Sequence, residues 1–66
     1  MTVIVNGEER TLNEQATMEE LIIALNLQGK VMAAAVNMEI VKQEKWGTHR
    51  LKDADKVELL DFVGGG

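Results

Sequence analysis

Residues 17–36 read TMEELIIALNLQGKVMAAAV, and the change of rhythm inside this stretch decides how the chain folds. Thr17-Met18-Glu19-Glu20 fits a capping box, in which the Thr17 hydroxyl accepts from the Glu20 amide while the Glu20 carboxylate reaches back to the Thr17 amide. Met18, Leu21, Ile22 and Leu25 then recur at helical spacing and form one apolar stripe, with Glu19, Glu20 and Asn26 toward the other side. Gly29 reads as the stop signal. Val31 to Val36 follows as an uncharged apolar run too short for an independent helix, which predicts a central strand buried on at least one face. Its alanines would let another surface approach closely.

Upstream, Met1 to Val5 is apolar and β-branched, Asn6-Gly7 is the pair preferred by a tight type I′ turn, and Glu8 to Leu12 returns with alternating character. Downstream, Asn37-Met38-Glu39 reads as a turn, Ile40-Val41 as a short edge strand, and Lys42 to Gly47 as a polar excursion interrupted by Trp46. Asp53-Ala54-Asp55 marks a further turn. Lys56 to Phe62 then reads as a final strand, with Val57 and Leu59 on one face and Glu58, Leu60 and Phe62 on the other. The order ββαβ(β)β, with one main helix to cover one face of a mixed sheet, predicts an α+β roll of the β-grasp, ubiquitin-like type. The expected division is a domain over 1–63 and a flexible glycine tail over 64–66.

Composition narrows the function. Sixty-six residues must offset roughly 1.5 kcal/mol of ordering entropy each, which leaves no apolar surface to spare for a roomy pocket. A net charge of −4 argues against nucleic acid and for a partner with a basic surface. With no cysteine there is no disulfide and no thiolate, which suits a reducing compartment. The start of the chain lacks the basic flank and long apolar run of a signal peptide, and no segment approaches a membrane span, so the cytoplasm is the expected location.

The inventory for catalysis is thin. Neither Cys nor Ser is present, His49 has no second histidine for a zinc set, and no glycine-rich loop joins a strand to the helix. Glu19-Glu20 and Asp53/Asp55 could be acid–base pairs, but the first sits at a helix start and the second in a turn, where carboxylates have structural uses. His49 and Trp46 each have a bland reading as well, the one a surface residue and the other a packing anchor.

Val63-Gly64-Gly65-Gly66 asks for an explanation, because consecutive glycines stabilise no fold and cost the most to order. A frayed end is one account. Access is another: without side chains such an end threads through a narrow channel and presents its carboxylate to a remote centre. That carboxylate is ionised at neutral pH and a poor electrophile, yet it is competent to attack the α-phosphate of ATP. A sulfur nucleophile could then displace AMP and leave a thiocarboxylate.

Ala35-Val36-Asn37, Ile40-Val41, Trp46, Leu51, Asp53-Ala54-Asp55, Val57-Glu58-Leu59-Leu60 and the Gly65-Gly66 end closely resemble the thiamine-biosynthesis sulfur carrier family, and the hairpin and Thr-capped helix match its layout. The resemblance implies that Gly66 is adenylated by an activating enzyme that uses ATP, takes sulfur from a sulfur-donor protein as a thiocarboxylate, and passes it to thiazole synthase. Gly65 would enter the channel with it and Gly64 would extend the pair. The chain itself would be a protein substrate, not an enzyme, and would bind no cofactor or metal. Two departures stand out: Ala54 where the family often has glycine, and Lys42 where a proline is common. The sister family that carries sulfur to molybdopterin shares the fold and the Gly-Gly end; short length and Trp46 favour thiamine. A passive interaction domain is the rival of another kind. Strand alternation puts Leu60 and Phe62 on the face away from the helix, and these two are the expected docking patch for the activating enzyme.

Overall fold

The computed structural model describes residues 1–61. Strands β1 (Thr2–Val5) and β2 (Glu8–Thr11) precede helix α1 (Met18–Ala24); β3 (Val31–Val36), β4 (Glu39–Val41), a 3₁₀ turn (Gln43–Lys45) and β5 (Lys56–Asp61) follow. They build one sheet in the order β2-β1-β5-β3-β4, antiparallel throughout except for the parallel pair β1 and β5. The last strand is therefore the middle one. The Val31–Val36 run lies one place off centre, between β5 and β4, with an irregularity in its register between Val31 and Ala33.

Both hairpins turn on two residues with positive φ, Asn6 (49°) with Gly7 (87°) and Asn37 (51°) with Met38 (72°), as type I′ geometry requires. β2 departs from expectation: all four of its residues are exposed, so its alternation buries nothing and it serves as the outer edge of the sheet.

The capping box forms as read, with the Thr17 amide donating to Glu20 Oε1 at 2.8 Å and the Glu20 amide to Thr17 Oγ1 at 3.2 Å. The next two free donors of the first turn are met from the chain after the 3₁₀ turn, since Met18 N–H donates to the His49 carbonyl and Glu19 N–H to the Trp46 carbonyl. The helix does not run to Gly29. Asn26 takes the left-handed conformation (φ 60°) and its amide bonds Ile23 O, while the Leu27 amide bonds Ile22 O. This is a Schellman stop with asparagine in the glycine position, and Gly29 (φ 76°) serves a separate turn closed by Lys30 N–H to Leu27 O.

Met18, Leu21 and Ile22 from α1 close over Val3, Val5, Ala34, Val36, Val57 and Leu59 from one face of the sheet. Trp46 completes this core, and its Nε1 donates to Val41 O at 2.8 Å. The excursion around it thus packs on the helix side and anchors to β4.

Candidate functional site

The reactive end expected from sequence is the run that follows β5, so the support of that strand is the first property of the site. β5 sits between β1 and β3 and is gripped further by two asparagine side chains. Ile4 N–H donates to Asp55 O and Asn6 N–H to Val57 O along the parallel ladder. Where the β1 main chain turns away, the Asn6 side chain supplies the next rung, accepting from Leu59 N–H at 2.9 Å and donating to Leu59 O at 3.3 Å. At the other hairpin Asn37 Oδ1 accepts from Lys56 N–H at 3.0 Å, and Asn37 Nδ2 donates to Asp55 Oδ1 at the same distance. Sequence reading identified both asparagines as turn formers and missed these grips, which join residues up to 53 positions apart.

The second property is the sheet face that α1 leaves open. Val57 and Leu59 point into the core, and Leu60 is 56 % exposed on the opposite side, as alternation required. It pairs with Ala33, while Ala35 pairs with both Glu58 and Ile40. The two half-buried alanines keep this face low between the exposed side chains of Leu60 and Ile40. Phe62, the second member of the expected patch, and Gly64, Gly65 and Gly66 lie outside the described residues.

The remaining candidates have structural roles. Glu20 caps α1; Asp53 Oδ1 accepts from Thr2 N–H at 2.8 Å; buried Asp55 accepts from Asn37 Nδ2 and from Lys52 N–H at 2.8 Å. Trp46 is buried, and His49 is half-buried with its carbonyl committed to the helix start. Among the described residues no group of three or more His, Asp or Glu is placed to hold a metal. No helix among them is long and apolar enough to cross a membrane.

A mixed sheet rolled around one helix, with its final strand at the centre, defines a small β-grasp domain of the ubiquitin-like class. The profile of the ThiS family matches residues 3–66, and the chain belongs to that family. It is similar to the crystal structure of a thiamine biosynthesis protein (ThiS) from Geobacter metallireducens, with a TM-score of 0.81 and 35% identity over all of both chains. It is 31% identical to the sulfur carrier protein ThiS of Bacillus subtilis, over 92% of this chain and 94% of that one. A thiazole synthase from Paramagnetospirillum magneticum is 35% identical over the whole of this chain, which spans 20% of that protein's length.

Proposed function

We infer that the protein is a sulfur carrier of thiamine biosynthesis, acting as a substrate passed between enzymes. The carboxylate of Gly66 attacks the α-phosphate of ATP held by an activating enzyme, expelling pyrophosphate and forming an acyl-adenylate. A sulfur nucleophile from a donor protein then attacks the acyl carbon and AMP leaves. Once the sulfur is freed from its donor the product is a thiocarboxylate, whose sulfur passes to thiazole synthase. The observation that carries this reading is the family match that runs through the glycine end, joined to a relative that is itself named a sulfur carrier. Support for thiazole synthase as the acceptor comes from the similarity of this chain to a segment of a protein of that name.

The described residues suit such a role in two ways. A central, doubly gripped β5 gives the chain end a rigid base, so binding energy gained by the domain can be used to position a terminus that has no side chains of its own. The low apolar strip around Leu60 gives a partner a surface to hold.

Intact-mass analysis after incubation with the activating enzyme, ATP and a sulfur source tests the proposal. The expected product is heavier by one sulfur in place of one oxygen at the C-terminus, and deletion of Gly65 and Gly66 abolishes the change. A chain that stays unmodified while a sulfur carrier run in parallel gains the sulfur would overturn it.

A further inference from the structure

Four of the seven basic residues of the chain, Lys42, Lys45, Arg50 and Lys52, line a single groove beside β4, with His49 among them. This concentration runs against a net charge of −4 for the molecule. Asp55 also lines the groove, but its carboxylate is already bonded to Asn37 and to the Lys52 amide; exposed Glu39 is the other acidic neighbour. Among the described residues none of the four cations has a carboxylate within 4.0 Å.

The groove is not only charged. Ile40 on its wall is 72 % exposed, and Met38 at the tip of the adjoining hairpin is 92 % exposed. Met38 also holds a φ of 72°, where a side chain costs about 1 kcal/mol and glycine would cost nothing. One bare apolar side chain on the wall, Ile40, and a second at the adjoining turn, Met38, thus accompany cations that have no carboxylate partner among the described residues.

Lysine and arginine bind phosphates as well as carboxylates, and it is the exposed apolar side chains of Ile40 and Met38 nearby that favour a polypeptide over a small phosphate. The groove presents four long, exposed cationic side chains in succession from the end of β4, the 3₁₀ turn and the loop before β5, a spread that suits carboxylates spaced along a polypeptide. We propose that this groove docks an extended segment of a partner protein in which acidic residues flank an apolar one, the carboxylates meeting Lys42, Lys45 and Arg50 and the apolar group resting on Ile40 and Met38. The site lies at the Val36–Val57 end of the β3–β5 pairing, whereas β5 ends at Asp61 opposite Val31. Those two points are four residues apart, roughly 13 Å at about 3.3 Å per residue. A partner can therefore hold the groove while the chain end that continues from Asp61 is engaged elsewhere, and this docking does not depend on the sulfur chemistry.

The test is a titration of the ¹⁵N-labelled full chain, at low salt, with a blocked Glu-Asp-Leu-Glu-Asp-Leu peptide, its Gln-Asn-Leu counterpart and inorganic tripolyphosphate. The acidic peptide is expected to shift the amides of residues 38–52 saturably, with the neutral peptide inert. Lys45→Glu combined with Arg50→Glu should weaken binding by about tenfold, two exposed charge contacts each turned from attraction to repulsion. Leu60→Asp should leave binding unchanged. Unaltered β1 and β2 amide positions establish that the double variant is folded; if it is not, Lys42→Gln with Lys45→Gln should weaken binding about threefold. No saturable shift, shifts centred on Ala33 and Leu60, undiminished affinity in the variants, or tighter binding of tripolyphosphate at the same amides would each overturn the proposal.

Discussion

Ala54 carries a φ of 73°, with its amide donating to Thr2 O at 2.7 Å, so a residue with a Cβ occupies the left-handed position of the turn that launches β5. Ala54→Gly should stabilise the fold by about 1 kcal/mol, read as a higher urea midpoint at unchanged slope. Lys42, the other departure from the family pattern, costs nothing comparable, since its φ of −64° and ψ of 146° are values that lysine and proline share. Asn6→Gly separates two roles of one residue: the turn survives, and the two bonds to Leu59 are lost. The expected cost is about 1 to 2 kcal/mol in the same denaturation assay. The turn was legible in Asn6-Gly7 because a local dihedral demand leaves a local signature. The grip on Leu59 was not, because nothing near position 6 records what folds against it.

At the scale of elements, α1 has only seven residues and gains its order from its ends and from its buried stripe. Thr17→Ala removes the acceptor for Glu20 N–H and should cost about 1 kcal/mol by thermal denaturation, with Thr17→Ser retaining most of the stability. The capping box, the helical stripe and the switch to a strand were legible, since each is written within a few residues. The stop at Asn26 was hidden by a more conventional glycine three positions later. The exposure of β2 was hidden too, because alternation indicates burial only where a helix covers the sheet, and this strand lies at the margin. The polar excursion proved to be a structural brace, its Trp46 and His49 carbonyls closing the helix start that the sequence shows only from the other side.

For the whole molecule, the sheet has one face covered by α1 and one left open, and Leu60 stands exposed on the open one. Leu60→Asp places a charge on a side chain that is 56 % exposed, so the denaturation midpoint should barely move while affinity for the activating enzyme falls, by calorimetric titration; equal affinity would remove Leu60 from the docking patch. The roll and the outward side of Leu60 were legible from element order and alternation, while the groove beside β4 was not, because it assembles residues from 36 to 55 through a turn with no regular period. The parallel pairing of β1 with β5 has a mechanical consequence. A tether at Met1 and a pull on the chain beyond Asp61 act on adjacent strands in opposite senses along their length. The load therefore falls on their hydrogen bonds in shear, all at once, instead of peeling them one by one.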